Sequence, residues 1–350
     1  MGNEARRSRV PARRIHLVVA IDRLLARLLV SAPKGSWVVK GGYANQLRRP
    51  DAARFTEDLD LKIEAGLGEA PILLAGGFAT DLGDGFAYEA STAARALDGP
   101  PGGGLRFAVA GRLMGDEFVH FKVDLSISDV VVGPLEQHLS DPVLQLLGFE
   151  RSRFPVYPIA QHFAEKLHAF TLPRDQENSR ARDLVDLVWF VEHFTFRSDA
   201  LSEACEATFR ARADHSWPPL LPVPPASWDR PFGRWRAELG LQPTTPSAAR
   251  HAIEAFLEPV FRGRRGMTWD PTTATVNQPK ARLIAMGTSA SVLAKQGDEA
   301  AIAQARQVAT ADPSPWAWDL LAAVGLALGR PEVGAEAEAG AAASVRRPTS

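Results

Sequence analysis

The first apolar pattern along the chain has helical spacing. Between Ala12 and Val30, apolar residues recur every three or four positions and form one stripe, which predicts an amphipathic helix. Asp22, Arg23 and Arg27 interrupt the apolar run, which argues against a signal peptide and against a membrane span. We therefore expect a cytoplasmic protein with no membrane partner.

Short segments with strand periodicity follow this helix. Residues 36–40 predict a strand that ends in a Gly-Gly turn, and the turn leads into a short helix over residues 43–49. Residues 58–63 alternate between polar and apolar, as does a strand with one buried face. Residues 105–109 and 118–127 predict two paired strands around a Gly-Asp turn.

The second half of the chain is predicted to be mostly helical. Helical patterns cover residues 159–171, 179–193, 198–213, 246–261, 298–310 and 315–328. The stretch over residues 216–235 is rich in proline and tryptophan, and we predict an irregular extended loop there. The last ~20 residues are rich in Ala, Gly and Glu, and their composition predicts disorder.

These patterns predict an α+β fold, in which a mixed sheet flanked by helices is followed by a mostly helical domain. We place the domains at residues 1–157, 158–262 and 263–350, and the last segment is a partly helical extension. The net charge of −1 excludes a global field that would favour nucleic acid or anionic membranes. The single cysteine excludes an internal disulfide.

A first group of candidate residues surrounds the Gly-Gly turn. Gly41 and Gly42 would let the backbone N–H groups of a helix N-terminus approach a phosphate chain. Asp58 and Asp60 lie two residues apart on the polar face of one predicted strand, roughly 7 Å from each other. Carboxylates in that arrangement can hold Mg²⁺ or Mn²⁺. The alternative is a solvated strand face next to an ordinary turn, but the neighbouring Lys-Gly-Gly and Arg-x-Thr motifs favour a site.

Asp124 is a third candidate carboxylate. It lies on the polar face of the predicted strand over residues 118–127, together with Lys122. Three carboxylates on neighbouring strands can hold metal ions or activate a hydroxyl group. A solvent-exposed Asp beside Lys122 is an equally good interpretation, since periodicity defines the face and not the distance.

A second group of charged residues lies on the predicted helices. Lys166 belongs to the first of them, and Arg180, Arg182, Asp183 and Asp186 belong to the next. Asp183 and Asp186 are three residues apart and therefore share a helix face. Cations there could offset the charge of a triphosphate and of departing pyrophosphate. A surface network of ion pairs is the alternative.

The order of these motifs resembles the AbiEii/AbiGii family of nucleotidyltransferase toxins, within the DNA-polymerase-β-like superfamily. The motifs are K-G-G at 40–42, R-x-T-x-D-x-D at 54–60, E-K-x-x-A at 165–169 and R-x-R-D-x-x-D-L at 180–187. The resemblance covers about residues 15 to 260. It implies a nucleotidyltransferase fold whose helical domain completes an active-site cleft.

The resemblance also implies roles for individual residues. Asp58 and Asp60 match the metal-binding acids, and Lys166 matches an essential lysine. Asp183 or Asp186 matches a late aspartate. The residues expected to bind the nucleotide are Lys40, Gly41, Gly42, Arg54, Thr56, Arg180, Arg182 and Asp186. If the resemblance holds, the second group must converge on Asp58 and Asp60.

The activity that the resemblance implies is nucleotide transfer from ATP, GTP or CTP to an acceptor hydroxyl, with release of pyrophosphate. The expected acceptor is the 3′ end of tRNA. The expected setting is a type IV toxin–antitoxin system or phage defence, with an antitoxin of the winged-helix regulator type as partner. Two alternatives are a nucleotidyltransferase that modifies small molecules such as antibiotics, and a protein without catalysis that binds a partner.

Overall fold

The computed structural model describes residues 12–64, 66–90, 94–97, 103–127, 130–173, 180–271, 294, 299–311 and 315–345. The chain divides into two compact units, Met1–Thr268 and Trp269–Ser350. The subdivision predicted at residue 157 falls inside the first unit and stays a prediction.

The described residues contain a large sheet and a small one. The strands are β1 (Trp37–Lys40), β2 (Asp58–Ile63), β3 (Phe86–Ala90), β4 (Arg95–Ala96), β5 (Gly104–Leu113), β6 (Asp116–Ser126), β7 (Glu136–Leu139), β8 (Arg153–Val156), β9 (Phe196–Arg197) and β10 (Thr268–Trp269). The large sheet has the order β3-β5-β6-β2-β1-β8-β7, and β4 pairs with β5. β9 and β10 form the small sheet.

The large sheet is mixed. β2 is antiparallel to β1 and parallel to β6, while β5 is antiparallel to β6 and β8 is parallel to β1. The predicted fold class is thereby confirmed. β2, which carries Asp58 and Asp60, lies in the middle of the sheet.

Helices surround the sheet and make up the rest of the first unit. They are α1 (Ala12–Ser31), α2 (Gly41–Arg48), α3 (Ala70–Ala79), α4 (Val143–Leu146), α5 (Ile159–Thr171), α6 (Ala181–His193), α7 (Ser198–Arg212), α8 (Asp229–Leu239) and α9 (Pro246–Phe261). Helix α2 begins at Gly41, so the two glycines that were expected to form a turn are instead the first residues of the helix.

The N-terminal helix α1 is buried on almost every side from Leu17 to Leu28. The sequence pattern predicted an amphipathic helix, yet Arg23 and Arg27 are buried too. Both donate to the carboxylate of Asp84, Arg23 Nε at 2.7 Å and Arg27 Nη2 at 2.6 Å. Buried charges need such partners, and the partner comes from a loop 57 residues beyond Arg27. The charged face of α1 is therefore an internal ion-pair site.

The proline-rich stretch is more regular than predicted. Residues 226–228 form a 3₁₀ turn and residues 229–239 form α8, so the predicted irregular loop is wrong for residues 226–235. Pro231 lies in the first turn of α8, where a helix needs no backbone N–H from it. The fully buried side chain of Phe232 anchors the helix to the core.

The second unit has three helices in the part of the chain that is described. They are α10 (Ala300–Ala311), α11 (Pro315–Ala327) and α12 (Pro331–Val345). They share an apolar core that includes Leu321, Val324 and Val333. The structure thus has a helix where composition predicted disorder, because Val333 and Ala337 reach that core; residues 346–350 lie outside the described residues.

A membrane span was not expected, and no helix among the described residues is long and apolar enough to cross a membrane.

Candidate active site

The Gly-Gly motif packs directly against the predicted acidic strand. Gly41 has a φ of +62°, and a Cβ atom there would lie 1.9 Å from Asp60 Oδ2. A Cβ atom on Gly42 would lie 2.8 Å from the Cβ atom of Thr56. Only glycine therefore lets the N-terminus of α2 approach Asp60 and Thr56 this closely. Thr56 Oγ1 also accepts a hydrogen bond from the backbone N–H of Asp58 at 3.4 Å.

Four charged residues form a row across four neighbouring strands. Lys40 on β1 pairs in register with Asp60 on β2, and Asp60 pairs with Asp124 on β6. Asp124 in turn pairs with Arg106 on β5. Residues paired in register point to the same face of a sheet, and neighbouring strands lie about 4.8 Å apart. The signs in this row run positive, negative, negative, positive.

The three carboxylates of the sheet have different partners. Arg106 holds Asp124 through two parallel hydrogen bonds, Nε to Oδ1 at 2.7 Å and Nη2 to Oδ2 at 2.6 Å. Asp58 has a distant ion pair with Lys122, at 3.9 Å between Nζ and Oδ1. Asp124 is thus neutralised by a bidentate cation, whereas Asp58 is still half exposed.

The carboxyl group of Asp60 has a pKa raised to about 6. Burial is the main cause, and the negative charges of Asp124 and Asp58 raise the pKa further. The positive charges of Lys40 and Lys166 act in the opposite direction. Burial therefore disfavours the charged form of Asp60, and a bound cation, which favours the charged form, would offset that cost.

The second group of residues forms an ion-pair network between α5, α6 and the segment before β2. Lys166 Nζ lies 2.9 Å from Asp183 Oδ1 and 2.9 Å from Asp186 Oδ2. Arg54 donates twice to Asp186, at 2.8 and 3.1 Å, and Arg180 Nη1 lies 3.4 Å from Asp183 Oδ2. Arg54 therefore connects the R-x-T motif to the aspartates of α6.

Burial and charge compete in this network. Burial alone would raise the pKa of Asp186, but Arg54 and Lys166 hold that pKa far below its usual range. Burial would likewise lower the pKa of Lys166, but Asp183 and Asp186 raise it above the ordinary lysine value. Lys166 and Asp186 are therefore both charged at neutral pH.

The residues around the Gly-Gly motif and the ion-pair network of α5 and α6 interact electrostatically. The charge of Lys166 acts on the pKa of Asp60, and the charge of Asp60 acts on the pKa of Arg54. Arg182 is placed differently, because its guanidinium lies 5.1 Å from the ring centroid of Trp235.

Sequence reasoning missed two partners of the carboxylates. One is Arg106, which binds Asp124, and the other is Lys122, which lies near Asp58 and not only beside Asp124. The pairing of Leu113 with Asp116, continued along the hairpin, would place Arg106 opposite Val123. A β-bulge between Gly111 and Arg112 shifts the register by one residue and places Arg106 opposite Asp124. A bulge of this kind has no clear signal in the sequence.

The carboxylates near the Gly-Gly motif are the candidate ligands of a divalent cation. Across the described ranges, no group of three or more His, Cys, Asp or Glu side chains is arranged to hold a metal ion. Asp58 and Asp60 nevertheless offer hard oxygen donors on one strand face, which suit Mg²⁺ or Mn²⁺. Asp124 is occupied by Arg106. The donor set therefore fits a cation held by two carboxylates.

Comparisons with known proteins bear on the family. Eight chains of solved structures match. One is the nucleotidyltransferase toxin MenT4 of Mycobacterium tuberculosis, with 20% identity, a TM-score of 0.47, and coverage of 75% of this chain and 98% of that one. Another is an H. pylori protein described as a nucleotidyltransferase, with 14% identity, a TM-score of 0.36, and coverage of 70% and 96%. A search of curated proteins finds no match.

Both TM-scores lie below 0.5, so the assignment rests on the family model. The model of the nucleotidyl transferase AbiEii toxin, type IV toxin–antitoxin system, matches residues 23–271. That range includes the Gly-Gly motif, the row of charges and the network around Lys166. The chain therefore belongs to the AbiEii family of nucleotidyltransferase toxins of type IV toxin–antitoxin systems.

Proposed function

We propose that this enzyme transfers a nucleotide from a nucleoside triphosphate to the 3′-terminal hydroxyl of tRNA, in a reaction that depends on Mg²⁺ or Mn²⁺. The observation that carries the proposal is the row of Lys40, Asp60, Asp124 and Arg106 beside the N-terminus of α2. The helix N-terminus can bind phosphate, and the carboxylates beside it can bind a cation.

In this proposal the phosphates bind at the N-terminus of α2. The backbone there approaches Asp60 without an intervening side chain, because Gly41 and Gly42 have none. Lys40, Arg54 and Lys166 supply positive charge, since each interacts electrostatically with Asp60. Such cations stabilise the charge that develops on the departing pyrophosphate.

Asp58 and Asp60 would hold the divalent cation. When bound, the cation polarises the phosphate that is attacked and offsets its charge. The side chains of this chain orient the nucleotide around that position. Thr56 contributes by fixing the backbone at Asp58 through its hydroxyl group.

We assign the deprotonation of the acceptor hydroxyl to Asp124. It lies directly beside Asp60 in the row. Asp183 is the other candidate; like Asp124, which accepts from Arg106, it is paired with cations, Lys166 and Arg180. We favour Asp124 because it is paired in register with Asp60, one of the two acids proposed to hold the cation.

Transfer is tested with radiolabelled ATP, GTP, CTP and UTP, offered with total tRNA or with aminoglycosides. We expect label on tRNA, and loss of that label in Asp60→Asn and Lys166→Met variants. Arg112→Ala is the matched control, since Arg112 pairs with Glu89 in an exposed ion pair farther along β5. Label on the antibiotic alone would exclude the tRNA acceptor and establish the small-molecule alternative.

In the cell we propose a toxin that an adjacent antitoxin neutralises, with a role in phage defence. Growth arrest on expression should disappear in Asp60→Asn and on co-expression with the product of the neighbouring gene. Arrest that persists in both Asp60→Asn and Lys166→Met would identify a protein that acts by binding a partner and not by catalysis.

A further inference from the structure

Among the three carboxylates of the sheet, Asp58, Asp60 and Asp124, one differs in how it is held. Asp124 has both oxygens bound by the fork of Arg106, and its side chain is only 13% exposed. Asp58 has one distant ion pair. The guanidinium uses one lone pair on each carboxylate oxygen and offsets the negative charge, which weakens the attraction of Asp124 for a cation.

Arg106 is the more exposed partner of this pair. Its side chain is 40% exposed, and it is held mainly through Asp124. It lies at the end of the row. After Asp124, the negative charges of Asp58 and Asp60 also raise the pKa of Arg106. Two residues after Arg106 on β5, the small residue Ala108 pairs with Lys122 on β6.

We propose that Arg106 is a substrate-operated latch, which binds Asp124 before the nucleotide arrives and transfers to a phosphate of the nucleotide afterwards. The proposal rests on the proposed function, since it takes Asp58 and Asp60 as the cation site. No covalent bond changes; one bidentate ion pair is exchanged for another. The exchange releases Asp124 to bind the cation or to accept a proton.

The chemistry of the guanidinium group supports this exchange. Its planar fork fits a phosphate as well as it fits a carboxylate, and it stays charged at every physiological pH. A lysine at this place would offer neither the two parallel bonds nor the same orientation. The latch also keeps two carboxylates, and not three, available to a cation in the absence of nucleotide.

The first test measures Mn²⁺ binding to the full-length protein without nucleotide, by electron paramagnetic resonance. Without the positive charge of Arg106, Asp124 should attract a cation more strongly. Arg106→Ala should therefore bind Mn²⁺ about tenfold more tightly than the wild type. Arg106→Gln, which keeps a hydrogen bond but no charge, should behave similarly. Arg112→Ala should match the wild type.

The second test measures binding of a non-hydrolysable nucleoside triphosphate with Mg²⁺ present. A lost charge-assisted pair weakens binding by about ten- to a hundredfold, and we expect this for Arg106→Ala but not for Arg112→Ala. Thermal unfolding of each variant checks that the sheet is intact.

The outcomes separate the latch from the proposed function. Unchanged Mn²⁺ affinity in both Arg106 variants, with Mn²⁺ binding abolished in Asp60→Asn, would overturn the latch and leave the proposed function standing. Mn²⁺ binding that persists unchanged in Asp60→Asn would overturn both. Tighter Mn²⁺ binding without weaker nucleotide binding would also overturn the latch, because the guanidinium would then have no phosphate to receive it.

Discussion

The substitution Gly41→Ala probes the closest contact in the candidate site. The new Cβ atom would lie 1.9 Å from Asp60 Oδ2, whereas ordinary van der Waals contact begins at 3.4 Å. The carboxylate of Asp60 must therefore retreat by about 1.5 Å, since the backbone of α2 is held by its own helix. A misplacement of about 1 Å in an active site costs roughly 100-fold in rate.

A second cost is conformational. Gly41 has a φ of +62°, and alanine in this left-handed region costs about 1 kcal/mol. Overpacking adds about 1–3 kcal/mol. The free energy of unfolding should therefore fall by about 2–4 kcal/mol in Gly41→Ala.

Gly35→Ala is the matched control, because Gly35 also has a positive φ, +84°, but has nothing within 4 Å of its Cβ position. It should lose about 1 kcal/mol of stability and keep full activity. The assays are guanidinium unfolding and transfer of labelled nucleotide. Activity lost equally in both variants would show that backbone strain matters and that contact with Asp60 does not. Activity kept in both would refute the placement of Asp60 at the reacting centre.

Two further predictions concern charge. Asp186→Ala removes the carboxylate that Arg54 and Lys166 share and leaves these buried cations uncompensated. The free energy of unfolding in guanidinium should fall by about 3–5 kcal/mol, against less than about 1 kcal/mol for the control Glu89→Ala, which breaks an exposed ion pair. Equal losses in the two variants would contradict the network. Because burial raises the pKa of Asp60 from 3.8 to about 6, its favourable contribution is fully present below pH 3.8 and lost as the pH rises through 6. Asp60→Asn should therefore be more stable than the wild type above pH 6 and lose that advantage near pH 4; an advantage independent of pH would contradict a titrating Asp60.

Secondary structure was largely predictable wherever one local period ran through a segment. Helices α5 and α9 have the predicted bounds. β2 has the predicted alternation from Asp58 to Leu61, but Lys62 is buried as well. Prediction failed where composition stood in for periodicity. The 229–239 helix and the Pro331–Val345 helix form because a few apolar residues, such as Phe232 and Val333, reach a core. Composition alone does not show that contact.

The candidate site was predictable in its residue types and not in its connections. Asp58, Asp60 and Asp124 were placed on polar strand faces by their periodicity. Their order across the sheet depends on β6 lying beside β2, which are more than fifty residues apart. The partner of Asp124 depends on a bulge that shifts the hairpin register.

The sequence by itself determined the helices and strands that have a clear local period, the polar faces that carry the carboxylates, and the order of motifs that marks the family. These follow from local periodicity, because side chains alternate along a strand and recur along a helix. Only the tertiary structure decided that Lys40, Asp60, Asp124 and Arg106 form one row and that Arg54 reaches Asp186. Such pairs join distant segments, and burial of the shared core sets their register.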